Sequence, residues 1–224
     1  MNVLINVRRY GLYSTLGLAA RLTIMRMFRS YMTLTLGEIN ATVTASFNDA
    51  NAAISELLGL GDIKIEELRR EYFQILEVIE NQLKGTALRY LENYGVEIKS
   101  SFLIYSVVRT VKPEVFLETG VANGMSSTII LTGMYSNGNG KLISFDVSDD
   151  VGQIIPLDLR KRWELRLLEN PLRASFLKEL NSIRSVNAFF HDSDQTFKWQ
   201  SFEFNEAWGN PSYLHTLHLI FLSI

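Results

Sequence analysis

The sequence contains no cysteine, only three histidines and only four prolines in 224 residues. Without cysteine there can be no disulfide, no Cys-ligated zinc, no iron–sulfur cluster and no thiol nucleophile, and the composition fits a cytoplasmic protein. His191, His215 and His218 form neither an H-x-x-x-H nor an HExxH pattern, so zinc-protease chemistry has no support. No uncharged apolar run reaches the about 18 residues that a membrane-spanning helix needs. The net charge of −2 gives no global attraction for nucleic acid. A local absence is sharper. Residues 1–37 contain no acidic side chain, but hold Arg8, Arg9, Arg21, Arg26 and Arg29 among leucines, methionines and Phe28. That pattern predicts a basic, apolar helical segment. It would pack on its own domain or a second subunit, or touch a membrane surface or another anionic partner.

What is present suffices for a packed core: 47% of residues are hydrophobic and 21% charged. The length suits one domain with an extension. Ser46-Phe47-Asn48-Asp49 can cap a short helix through Leu58, and residues 62–93 predict a long one with Asp62 as N-cap. On the long helix Ile65, Leu68, Tyr72, Ile75 and Ile79 recur at three- and four-residue steps. Such a narrow seam needs a partner, either the N-terminal helices or the same helix of a second subunit in a homodimer.

The chemistry concentrates further on. PEVFLETGVANGMSS, residues 113–127, reads as a buried strand, an acid (Glu118), a glycine-containing turn (Gly120, Ala122, Gly124) and a helix start. Glycine allows positive φ and close backbone approach, and free N–H groups at a helix start favour an anion. Residues 140–150, GKLISFDVSDD, supply a second apolar run ending in Asp146. The spacing fits one strand–helix–strand unit of roughly 30 residues. A carboxylate at the second strand's tip can accept both hydroxyls of a ribose. VNAFFH, residues 186–191, predicts a further strand running into Asp192-Ser193-Asp194, and a helix follows over 195–208 with Phe197, Phe202, Phe204 and Trp208 on its apolar side. Residues 164–167 and 217–222 predict two more strands. Strands alternating with helices through short connections predict an α/β fold, a mainly parallel sheet with helices on both faces.

Two carboxylates at a strand tip can bind a hard divalent cation, act as a general base on a hydroxyl, or cap the next helix. The residues themselves leave these three roles open.

ETGVANGMSS, LISFDV and FFHDSDQTF together resemble the class I S-adenosylmethionine-dependent methyltransferases, with the O-methyltransferase-like motif E-x-G-x-x-x-G-x-S carried by Glu118, Gly120, Gly124 and Ser126. The resemblance covers residues 101–208. It implies a Rossmann-like domain over 100–224 behind a helical extension over 1–99, S-adenosylmethionine as methyl donor and a small-molecule hydroxyl as acceptor. By that resemblance Glu118 holds the methionine ammonium, directly or through water, and Gly120, Ala122 and Gly124 let the cofactor approach. Ser126 meets the methionine carboxylate, Asp146 takes the ribose, and Asp192 lies near the transferred methyl, while a base role for Asp192 or Asp194 comes from the residues alone. In metal-dependent members the aspartate matched by Asp192 ligates a magnesium-like ion. The sequence departs from the family in three ways: Gln195 stands where some members have a lysine, the Asp-Asn pair after strand five is missing, and the chain stops at Ile224. A domain shortened at its C-terminal side is therefore expected, and a non-catalytic binding or oligomerisation module is the alternative. An NAD-type oxidoreductase is disfavoured by Glu118 and by the Gly120/Ala122/Gly124 spacing.

Overall fold

The computed structural model describes residues 47–90, 98–194, 196–209 and 218–220. The basic N-terminal segment, Gln195 and the residues on either side of the last strand lie outside the described residues. Two units are distinguished, Met1–Ala53 and Ile54–Ile224. The described part of the first is the opening turns of helix α1 (Phe47–Leu58).

In the second unit α1 is followed by α2 (Asp62–Gly85) and α3 (Ile98–Val111). The alternating part then runs β1 (Val115–Thr119), α4 (Met125–Asn137), β2 (Lys141–Asp146), a 3-10 turn (Leu159–Arg162), β3 (Trp163–Leu167), α5 (Leu172–Asn181), β4 (Ala188–His191), α6 (Phe197–Gly209) and β5 (His218–Ile220). The five strands form one sheet in the order β3-β2-β1-β4-β5, and every neighbouring pair is parallel. β1 is central and nearly continuous in apolar or buried residues, as a strand covered on both faces must be.

Alternate residues of β1 reach opposite layers. Glu118 meets Ser126 and Ser127 of α4, and Thr119 meets Glu203 of α6. On the α6 side Phe189 packs on Phe204 with ring centroids 5.4 Å apart, and Phe145 meets Phe176 of α5 edge-on at 5.6 Å. Helices therefore cover both faces, as predicted.

α2 is shorter than predicted. It ends at Gly85 rather than at residue 93, and its N-cap is Gly61, so Asp62 is the first helical residue and not the cap. The predicted seam is real, with Ile65, Leu68, Tyr72 and Ile79 buried. Its partner is α3 of the same chain. Tyr72 shares a 2.5 Å hydrogen bond with Ser101, its ring lies 5.3 Å from that of Phe102, and Glu71 receives both Tyr105 and Arg109. α3 in turn presses on α4, where a Cβ on Gly133 would stand 2.7 Å from Val108. On α6, Phe204 is buried, but Phe197 is 43% exposed and does not join the apolar side.

The strand order reverses at β1 and β4. The chain leaves β1 towards β2 and leaves β4 towards β5, so the turns after Thr119 and His191 diverge at the carboxyl edge of the sheet. Open α/β sheets carry their ligand crevice at such a switch point.

Candidate active site

Two turns face each other at this edge. The first spans residues 120–124. Gly120 has φ 83° and Gly124 φ 95°, and Ala122, an L residue, also sits at φ 47°. The second holds Asp192, Ser193 and Asp194. They touch directly: a Cβ on Gly120 would lie 2.2 Å from the Asp192 carbonyl oxygen. The Asp192 N–H also donates to the Thr119 carbonyl at 2.8 Å. Gly120 is thus required by the chain's own second turn. Gly124 has the same character, since its Cβ would meet Ile155 at 2.8 Å and Gly152 at 2.9 Å. Residues 151–156 fold back over the first turn, donating from Gly152 to the Ala122 carbonyl and from Ile154 to the Asn123 carbonyl.

Glu118 is fully buried. Its two oxygens accept hydrogen bonds from Ser126, Ser127 and Ser144, each at 2.6 Å. Burial raises its pKa, the three hydroxyls oppose that shift, and the nearby Asp146 charge adds to it. Glu118, expected to hold the methionine ammonium directly or through water, has no open surface here. The Ser126 hydroxyl is likewise turned inwards onto Glu118, not outwards to a ligand carboxylate. Sequence reasoning placed Glu118 at the strand tip and Ser126 at the helix start but missed the serine cage. Ser144, a polar residue inside the LISFD run, was the available signal.

Asp146 ends β2, half-buried beside the first turn. One oxygen accepts the Val121 N–H at 2.9 Å, and the other accepts the N–H groups of Val147 at 2.7 Å and Ser148 at 3.0 Å. A carboxylate has about four acceptor sites, so the carboxylate is oriented by three donors and retains about one lone pair for a further partner.

Asp192 is the distinctive group. Burial first, and the Glu118 charge second, push its carboxyl up to about 7. It stands at a switch point, poised between acid and base near neutral pH. Asp194 differs: it is exposed, and its Oδ1 accepts the Thr196 N–H at 2.8 Å. That is the capping role, one of the three that the sequence left open. Among the described residues no group of three or more His, Cys, Asp or Glu side chains is placed to hold a metal ion. Asp192 is the carboxylate at this edge that could take a hard cation, with water for most of the other ligands, and no metal step is assigned to it. A cavity of about 620 Å³ lies elsewhere, lined by Ile75, Ile79, Tyr105, Thr128 and Tyr135 of the helices, and not at the strand tips.

Residues 117–211 match a family model described as a methyltransferase domain. The match contains both turns, Asp146 and α6. Solved structures similar to the chain include an O-methyltransferase from Bacillus cereus in complex with SAH, at 21% identity and TM-score 0.43, covering 70% of this chain and 64% of that one. A putative O-methyltransferase from Klebsiella pneumoniae shares 19% identity at TM-score 0.41, covering 71% and 65%. An SAH-bound methyltransferase from Podospora anserina shares 11% at TM-score 0.45, covering 69% and 68%. The chain spans just under two thirds of the length of the first two, at 64% and 65%. No curated protein matches it. No helix of the described residues is long and apolar enough to cross a membrane.

Proposed function

We propose that the methyltransferase domain binds S-adenosylmethionine in the crevice beside the first turn and passes its methyl group to a hydroxyl of a small molecule. The observation that carries this is the family match over residues 117–211, which encloses the two turns at the switch point. The donor set fits the nucleoside end of the cofactor. Asp146 ends β2 at the crevice, pre-oriented by three N–H groups, with an acceptor site left for a ribose hydroxyl. Glu118 fits a role from behind the turn. From the caged position it adds negative charge beneath the crevice, where a cationic ligand would be favoured, without touching it.

When bound, the cofactor supplies a methyl group already activated as a sulfonium. The protein's part is alignment and removal of one proton. With the cofactor held at Asp146, the acceptor oxygen would take the methyl carbon as the carbon–sulfur bond broke, its electron pair passing to sulfur. The hydroxyl proton goes to the Asp192 carboxylate, whose pKa of about 7 suits that transfer near neutral pH. Asp192 is the proposed catalytic residue. A cytoplasmic setting accords with the absence of cysteine. Homodimerisation and membrane-surface contact would rest on the basic N-terminal segment, since the α2 seam is covered by α3.

A non-catalytic binding module is the second reading. It is favoured by the filling of the space beside Gly120 and Gly124 with protein atoms. Calorimetric titration with S-adenosylmethionine and S-adenosylhomocysteine separates the two. We expect an affinity on the order of micromolar, weakened about tenfold or more in Asp146→Ala. Asp146→Asn keeps one acceptor oxygen and should lose less. No binding by folded parent protein would remove the methyl-transfer reading. Binding without conversion of the donor across hydroxyl acceptors would favour the binding module.

A further inference from the structure

Glu203 lies on α6, outside every motif in the sequence, and its side chain is fully buried. Its carboxylate accepts four hydrogen bonds: from Thr119 Oγ1 at 2.7 Å, His191 Nδ1 at 2.6 Å, Ser193 Oγ at 2.9 Å and Trp199 Nε1 at 2.5 Å. The donors come from the end of β1, the end of β4, the second turn and α6 itself. A carboxylate offers about four acceptor sites, so this one is saturated. An amide could not replace it, because glutamine has one acceptor oxygen and would turn its own N–H groups towards donors. No arginine or lysine joins the group among the contacts described. Burying a carboxylate is costly, and packing α6 on the sheet does not require one, since Phe204 and Ala207 already bury that face.

What the carboxylate holds is the chain on either side of Asp192. His191 and Ser193, the two neighbours of Asp192, both bond to Glu203. Thr119, whose carbonyl takes the Asp192 N–H, bonds to it as well. The Asp192 carbonyl rests against Gly120. The backbone of Asp192 is therefore clamped from the α6 face, while its side chain is coupled to Glu118 on the α4 face.

We infer that Glu203 is a positioning residue: through His191, Ser193 and Thr119 it fixes the carboxyl of Asp192 at the crevice. This rests on the proposed role of Asp192 as proton acceptor. Glu118 is the charged group that acts on Asp192, and Glu203 acts on it through the backbone.

The test uses the full chain and needs no acceptor. The Asp192 carboxyl is titrated by carbon-13 NMR in the parent, in Glu203→Gln and in Ser193→Ala, with amide hydrogen exchange read alongside. In Glu203→Gln the Asp192 midpoint should fall by about one unit or more as water reaches the carboxyl. The amides of 192–194 should exchange about tenfold faster or more, with those of β2 unchanged. S-adenosylhomocysteine affinity should stay within about threefold, because Asp146 is untouched. Ser193→Ala cuts one strut and should move the midpoint the same way by less. It also keeps the test decisive should Glu203→Gln fail to fold. Were Glu203 merely a staple for α6, the α6 amides would exchange faster while the midpoint stayed in place. An unmoved midpoint in the folded variants overturns the inference. Failure of the parent to bind S-adenosylhomocysteine would instead strike the methyl-transfer reading, and the titration would still decide what Glu203 does.

Discussion

Asp192→Asn is expected to lose methyl transfer by about two to four orders of magnitude and to become more stable than the parent at pH 8. The two effects share one cause. Burial and the Glu118 charge push the Asp192 carboxyl up to about 7 in the folded protein, well above the ordinary aspartate range. Below about pH 4 it is protonated folded and unfolded alike, and its burial carries no ionic penalty. Between about pH 4 and 7 the unfolded chain ionises first, so stability falls as pH rises. Above about 7 both states are ionised and the penalty is constant, on the order of 2–4 kcal/mol after allowance for partial solvent access. Asparagine is nearly isosteric and never ionises. The melting temperatures of variant and parent should therefore lie close together at pH 4 and separate by roughly 5–10 °C at pH 8 for a chain of this size. Glu118 reinforces the trend, because removing the Asp192 charge also relieves the caged carboxylate beside it. Equal gaps at both pH values would mean that the carboxyl is not held in a desolvated place.

That cost is what the proposed base role of Asp192 entails. A solvated carboxylate at the strand tip would be more stable but would titrate near its ordinary value, where it is a weak proton acceptor at neutral pH. Such exchanges of stability for activity recur at functional sites. Here Asp192 and Glu118, two carboxylates desolvated within one strand end, are the local source.

Much of this was legible in the sequence, and the parts that were not share a physical reason. Apolar runs closed by Glu118, Asp146 and Asp192 marked three parallel strands and their carboxyl edge, because buried strands need continuous hydrophobicity and polar groups can resume only where the sheet ends. The end of α2 was misplaced because the apolar period stops after Ile79 while helix-favouring residues continue, so only the glycine at 85 marks the exit. The orientation of acids was not legible. Glu118 points into a cage of serines from α4 and β2, up to 26 positions away, and nothing local separates a caged acid from a ligand-facing one. Glu203 was missed for the same reason. Its partners lie on β1, β4 and the second turn. The one local sign was its place four residues after Trp199 and four before Ala207, on the buried stripe of α6. Distance in sequence, rather than weak propensity, hid both.

Gly120→Ala tests the contact on which the site depends, and it is expected to cost more than about 4 kcal/mol, a loss that single substitutions reach only by severe strain or clash. Two effects add. At φ 83° an L side chain is strained by about 1–2 kcal/mol. The new Cβ would also fall 2.2 Å from the Asp192 oxygen, 2.6 Å from its carbonyl carbon and 2.9 Å from the Ser193 nitrogen. All three are backbone atoms held by the β4 ladder and by Glu203, so no flexible side-chain end can yield. Gly138→Ala separates the two effects, because Gly138 has φ 74° with nothing within 4 Å of its Cβ position. It should show the conformational strain alone, about 1–2 kcal/mol, read from denaturant midpoints. With a total stability of about 5–15 kcal/mol for a domain, Gly120→Ala should emerge either poorly soluble or folded with the two turns forced apart. In the folded case Asp192 would gain water and its titration midpoint would drop towards the ordinary carboxylate range. If Gly120→Ala costs no more than Gly138→Ala, the second turn does not rest on Gly120, and the crevice is built otherwise than by the meeting of these two turns.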